Sequence, residues 1–295
     1  MLIKPVKWQN QFEGGYLTDW FRFRSPMCGI RTISRRERDW VIEMLGSDTS
    51  SEVRKAMNKA QETPYKVNKR VLQVLRQALA MQGGVMGLPN HKPDPTPGFP
   101  FPDEWLKSEA SQEDLDQFKL WKIQMAAWYT KEATRKGKHV GLLGSMRELT
   151  RYQDEPELYF PAFIDWRGRM YFRSIINPQS SDAVKGCIEF AHGKPLGETG
   201  LYWLKVHVAN CCGYDKVTFD LRVKWVDDNL GLILNFVNNP LDVDPPESDT
   251  AFTLLAAGLA LQDALALDNP KDYVCTIPVA MDDTCSGLQH FSTLS

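Results

Sequence analysis

Apolar residues recur at every fourth position from Val67 through Val71 and Leu75 to Leu79, while Lys66, Lys69, Arg70 and Arg76 fall off that line. A stripe of this period predicts an amphipathic helix. Pro64 suits its first turn, where a missing amide proton costs nothing, and Gly83-Gly84 ends it. Upstream, Ser50 or Ser51 can cap a helix running toward Thr63, and residues 1–33, broken by Gly14-Gly15 and Pro26, read as irregular. Ser111, with Asp114 three positions on, has the form of a capping box. It predicts a helix that carries Leu115, Phe118, Ile123, Met125 and Trp128 and stops at Gly137, after which Ser145 and Glu148 repeat the starting signal. Residues 83–102 hold six prolines and four glycines, which marks a linker or long surface loop and the clearest domain boundary.

Beyond Tyr159 the pattern changes. Short β-rich runs such as Met170–Ile176 alternate with helical stretches at Gly200–Asn210 and Thr250–Leu267. In Val274–Asp283, Val274, Thr276 and Pro278 alternate with Cys275, Ile277 and Val279. This predicts a strand that ends at an acidic pair, then a turn and a helix start at Ser286–His290. The expected class is α+β, with helices first and a mixed sheet later.

Composition narrows the function classes. The 295 residues are 43% hydrophobic and 24% charged, as in ordinary globular proteins. No run of eighteen apolar residues occurs and the first fifteen residues hold no apolar signal core, so neither a membrane span nor a secretory leader is expected. The six cysteines show no C-x-x-C spacing, so neither a zinc site nor a disulfide framework is suggested, and a reducing cytoplasm fits best. A net charge of −2 argues mildly against nucleic-acid binding, yet the charge is segregated. From Lys119 to Arg151 eight basic residues (Lys119, Lys122, Lys131, Arg135, Lys136, Lys138, Arg147, Arg151) face two acids, Glu132 and Glu148, a balance of 8 − 2 = +6. One basic face would account for this run, and so would a solvated helix surface.

Three groups of residues could carry chemistry. Asp282 and Asp283 close the last apolar strand. Carboxylates fixed at a strand end and open on one side suit hard cations such as Mg²⁺ and two-metal phosphoryl transfer; a turn or capping role is the competing reading. In Asp165-Trp166-Arg167-Gly168-Arg169, with Tyr171 following, two arginines flanking a glycine can clamp phosphates while the glycine permits close backbone approach. Asp165 would orient a guanidinium, or the turn would merely brace two elements. In Tyr202–Lys216, Lys205 and Lys216 can reach phosphates, Trp203, Leu204 and Val206 suit packing, and His207 suits the core. Gly193-Lys194-Pro195 lacks the rest of a phosphate loop, and no nucleophile elbow occurs.

Taken in order, TPYKVNKRVL (63–72), YFPAFIDWRGRMY (159–171), INPQSSDAVKG (176–186), GKPLGETGLYWLKVHVANCCGYDK (193–216) and DDTCSGLQHFS (282–292) resemble the single-subunit RNA polymerases of phages and mitochondria, and the opening PVKWQNQFEGGYLT (5–18) is similar too. The resemblance implies an incomplete right-hand polymerase: a helical N-terminal remnant with its linker over 1–102, a basic thumb over 103–158, and the first part of the palm over 159–295. Asp282 would be the first catalytic, metal-binding aspartate, holding two Mg²⁺ ions with the backbone carbonyl of Asp283, where the family commonly has a small residue. Arg167, Arg169 and Tyr171 would grip the template and the RNA–DNA hybrid. Lys185 would bind nucleic acid in the same neighbourhood, and Lys216 the phosphates of the incoming nucleotide. DNA template, RNA product and NTPs are the implied partners, and the cytoplasm of an infected bacterium the implied location. The family's fingers and its second aspartate lie downstream of the motif at 282, so the second metal site would need residues supplied in cis or in trans by a C-terminal portion. The isolated chain is therefore expected not to polymerise. The alternative is a non-catalytic, nucleic-acid-binding or assembly subunit of a split polymerase.

Overall fold

A computed structural model describes residues 2–10, 13–16, 27, 34–81, 84–165, 168–246 and 250–279. Several helices open where a short polar side chain can accept the orphan amide protons of the first turn. Ser34 and Glu37 form a reciprocal capping box at the start of α1 (Arg35–Gly46). α2 (Ser51–Glu62) follows Ser50 where the serine pair predicts a start, but Ser50 gives its hydroxyl to Met44 O at 2.8 Å and caps no amide of the helix. Pro64, by contrast, opens no helix. Tyr65–Val67 form strand β1, and Asn68 caps α3 (Lys69–Ala80) by accepting the Val71 N–H. Val67 is buried as the stripe predicts, but from the strand, because β1 pairs antiparallel with β4 (Ile188–Phe190). A three-residue strand whose partner lies more than a hundred positions away leaves no local signature.

The Ser111–Asp114 capping box does open a helix, α4 (Gln112–Arg151). It runs forty residues, straight through Gly137, and encloses Ser145 rather than restarting there. An interior glycine costs only about 1 kcal/mol relative to alanine. The last turns recover that cost by burying Leu142, Ser145 and Leu149 in the core.

The proline-rich stretch lies along α4 rather than looping free. The indole N–H of Trp121 donates to Pro97 O at 3.3 Å and that of Trp128 to Asp94 O at 2.9 Å. Arg135 Nη1 donates to Asn90 O at 2.5 Å and His91 O at 2.8 Å. Donors at 121, 128 and 135 are two turns apart and share one helix face. Proline has no N–H to offer, so the strap is held through its carbonyls.

Beyond α4, β2 (Ala162–Ile164) and β3 (Met170–Phe172) form a hairpin, followed by α5 (Asp182–Lys185), β4 and β5 (Lys194–Pro195). Helices α6 (Gly197–Cys211), α7 (Phe219–Asp228), α8 (Leu230–Asn238) and α9 (Ala251–Leu265) come next, and β6 (Val274–Cys275) pairs with β5. The class is α+β. The expected mixed sheet is absent among the described residues, where three two-stranded antiparallel ladders take its place.

Helix α9 buries Phe252, Leu254, Leu255, Leu261 and six smaller residues, apolar around its whole circumference, and so forms the centre of the main core. A smaller cluster joins Trp8, Met27, Leu45 and Met57 to Ala162 and Ile164 of β2. There Trp8 Nε1 donates to Ala162 O at 3.0 Å and Ile164 N to Met27 O at 2.8 Å, so the N-terminal segment braces the hairpin. No helix of the described residues is long and apolar enough to cross a membrane.

Candidate nucleic-acid and nucleotide interface

The hairpin turn carries the first candidates. Asp165 N donates to Arg169 O at 2.9 Å and Gly168 N to Asp165 O at 3.0 Å, while Asp165 Oδ1 accepts the Arg169 N–H at 3.0 Å. The aspartate thus clamps the turn backbone. Gly168 has φ +80°, yet a Cβ there would meet nothing within 4 Å. The glycine takes a left-handed backbone that residues with a side chain rarely adopt. Arg169 stands exposed, with no side-chain partner among the described residues. Tyr171 sits opposite Phe163 with ring centroids 5.8 Å apart, and the Arg173 guanidinium lies 4.1 Å over Phe163. Arg167 lies outside the described residues.

Gln179 ties this hairpin to the segment leading into α5. Its carboxamide accepts from Phe172 N at 3.0 Å and donates to Met170 O at 3.1 Å. At the end of α5 stands Lys185, half-buried and without an ion pair among the described residues. The next residue, Gly186, presses so close to α9 that a Cβ would come within 2.6 Å of Phe252 O. His207 of α6 is 4% exposed, and burial, helped by the Lys185 charge, pushes its pKa down to about 4. It is a core histidine, neutral at neutral pH and 3.8 Å from Cys211 Sγ, as the sequence suggests. Burial also raises the Cys211 and Cys212 thiols to about 12, leaving them protonated and inert.

Lys216 occupies the loop between α6 and α7. Helix α6 ends in a Schellman motif: Gly213 takes φ +76°, Gly213 N bonds Asn210 O and Tyr214 N bonds Ala209 O. Tyr214 then stacks on Trp225 at 5.2 Å, Tyr202 donates to Asp220 at 2.7 Å, and Lys205 pairs with Asp227 at 2.5 Å. Lys205 thereby joins the two helices, and its carboxylate partner sets it apart from Lys216. Trp203, read as packing, is 48% exposed and packs edge-on against Phe219 of α7, with ring centroids 5.3 Å apart. Lys216 itself is exposed with no partner among the described residues.

The basic run on α4 is less bare than its sequence implies. Lys119 pairs with Asp116, Lys131 with Asp94, Arg135 and Lys136 with Glu132, and Arg147 with Glu148. The bond from Arg135 holds the Glu132 carboxyl down at about 2. Asp94 and Asp116 lie outside the window in which the excess was counted, so the helix carries fewer free cations than eight. Asp282 and Asp283, the expected metal ligands, lie outside the described residues, and no group of three or more potential metal ligands occurs among those described.

Comparison with known proteins decides the kinship. A family model described as DNA-dependent RNA polymerase matches residues 194–295. The DNA-directed RNA polymerase of Pseudomonas phage phiKMV is 35% identical over 298 residues, covering 100% of this chain and 36% of its own length. T7 RNA polymerase of Escherichia phage T7 is 33% identical over 99% of this chain and 32% of its own length. The chain belongs to the phage-type, single-subunit RNA polymerase family. The likeness extends to plant organelles: the chloroplastic DNA-directed RNA polymerase 3 of Nicotiana sylvestris is 30% identical over 100% of this chain and 29% of its own length. The chain thus spans about a third of the length of the curated relatives it matches.

Within that family frame, three residues that sequence reading passed over tie together the elements that carry the candidates. They are Gln179 behind the hairpin, Asp182 at the start of α5, and Arg222 behind the Lys216 loop. Only Arg222 had a signal: a long side chain one turn inside a helix can reach back over the loop that precedes it.

Proposed function

We propose that this chain supplies part of a DNA-templated RNA polymerase, with the N-terminal region at 1–102, a thumb at 103–158 and the opening portion of the palm at 159–295. The observation that carries the reading is similarity along the full chain to phage polymerases, at 33–35% identity. Three candidate cations, Arg169, Lys185 and Lys216, free of carboxylate partners among the described residues, support it. The reaction is attack of the RNA 3′-hydroxyl on the α-phosphate of an NTP, with pyrophosphate leaving.

In this reading Arg167 and Arg169 hold template and hybrid phosphates together with Tyr171 and Lys185. Lys216 meets the phosphates of the incoming nucleotide. Polymerases of this family generally use Mg²⁺. Asp282 and the carbonyl of Asp283 offer the hard oxygen donors it prefers, and the ion would neutralise charge at the reacting phosphate. The carboxylate of Asp283 adds a negative charge where the family commonly has a small residue. The protein would act in the cytoplasm of an infected bacterium.

Primer–template extension with Mg²⁺ and NTPs tests the reading. The isolated chain should give no extension, since a second aspartate is needed, while a polymerase joining it to the missing C-terminal portion should extend. Asp282→Ala should abolish that activity and leave nucleic-acid binding almost unchanged. Extension that survives Asp282→Ala rejects the assignment, and binding without catalysis in the joined protein would favour a scaffold.

A further inference from the structure

We propose that Arg222 is the positioning residue for Lys216, fixing where its ammonium group stands; this rests on reading Lys216 as the nucleotide-phosphate lysine. Lys216 has nothing of its own to orient it, because its side chain is exposed and unpartnered among the described residues. Its position is therefore set by the backbone of the loop. The loop's entry is fixed by the Schellman motif at Gly213 and the stacking of Tyr214 on Trp225. Its exit is fixed by α7, whose Arg222 N–H bonds Thr218 O at 3.1 Å.

The guanidinium of Arg222 holds the middle. Nη2 donates to Asp215 O and Nε to Val217 O at 2.9 Å, the two carbonyls that flank Lys216. Nη1 donates to Asn210 Oδ1 at 2.8 Å, anchoring the fork to α6, and the plane lies 5.0 Å over Phe219. Three acceptors in a fixed planar arrangement, all neutral, match a guanidinium and no other side chain. Arg222 also has no carboxylate partner among the described residues, so it adds a positive charge to the loop that carries Lys216, which suits an anion there.

The test is steady-state kinetics of a polymerase that includes this chain, with Lys216→Ala, Arg222→Gln, Arg222→Lys and the double variant Lys216→Ala/Arg222→Gln. Lys216→Ala should raise the NTP KM by about tenfold, the worth of one charge-assisted bond. Arg222→Gln should raise KM in the same direction with kcat changed less, and Arg222→Lys should fail to restore it, since an ammonium cannot span the three acceptors. In the double variant Arg222→Gln should add nothing. Asn210→Ala, which removes one acceptor and leaves the charge, gives a milder KM increase should Arg222→Gln prove unstable by circular dichroism. Wild-type KM in Arg222→Gln alongside a raised KM in Lys216→Ala overturns the positioning role, as do additive effects. Wild-type KM in Lys216→Ala overturns the phosphate reading and the inference with it.

Discussion

The carboxylate of Asp182 accepts the backbone N–H of Phe252 at 2.8 Å across seventy positions of sequence, and with Thr253 N at 3.2 Å and Thr253 Oγ1 at 2.6 Å it completes the cap of α9. The local candidate, Thr250, sends its hydroxyl to Cys211 O instead. The central core helix is therefore capped from α5, the same short helix that presents Lys185. A negative charge at a helix N-terminus also meets the positive end of its dipole.

Asp182→Ala removes that cap. It should lower unfolding free energy by about 1–2 kcal/mol, read from a urea titration at constant slope. An unchanged midpoint would mean that water replaces the carboxylate at no cost.

His207 makes stability depend on mild acid. Its folded pKa of about 4 lies below the unfolded value, so its contribution is complete above about pH 6.5 and is lost as pH falls toward 4. Between pH 7 and pH 5 the wild type should lose about 2 kcal/mol more than His207→Gln, which keeps a polar side chain but cannot titrate. Parallel pH profiles for the two proteins would show that His207 is not buried in its neutral form.

Two glycines near the candidate cations should respond differently. Gly186→Ala places a Cβ 2.6 Å from Phe252 O, a backbone atom that cannot swing aside, so a loss of about 1–3 kcal/mol is expected. At Gly168 there is open space and only φ is at issue, so Gly168→Asn should be tolerated while Gly168→Val should not. Thermal melts of the three variants separate the two mechanisms.

The strap on α4 should open locally. Trp128→Phe and Arg135→Gln delete donors to Asp94 O and to Asn90 and His91 O. Each lost bond is worth about 1 kcal/mol, so the open population rises roughly fivefold in Trp128→Phe, which loses one bond, and roughly thirtyfold in Arg135→Gln, which loses two. Amide exchange and limited proteolysis over residues 90–97 should quicken by those factors while the global unfolding midpoint barely moves. A large global loss would instead make the strap part of the main core.

The apolar stripes and the capping box at Ser111 were readable directly, whereas Pro64 and Ser145 marked helix starts that the fold does not use. The Ser111–Asp114 box and the alternation of Val71 and Leu75 with Arg70 and Arg76 depend on neighbours three or four positions away, so they are written into short stretches of chain. Where α4 ends was not readable, because Gly137 costs little and Leu142 and Leu149, anchored by distant residues, outweigh it. The same holds for β1 against β4, whose register joins Tyr65 to Phe190.

For the candidate interface the division runs along the same line. The order of short motifs was enough to name Arg169, Lys185 and Lys216 and to predict the family, since residue identity and spacing survive in one dimension. Which lysine is free was decided only in three dimensions: Lys205 and Lys216 are equally basic on paper, yet Asp227 from α7 claims the first and nothing described claims the second. The fork of Arg222 likewise exists only once α6 and α7 lie side by side. Pairing energies act through space over a few ångströms, and contacts between residues far apart in the chain form only when the fold brings them there.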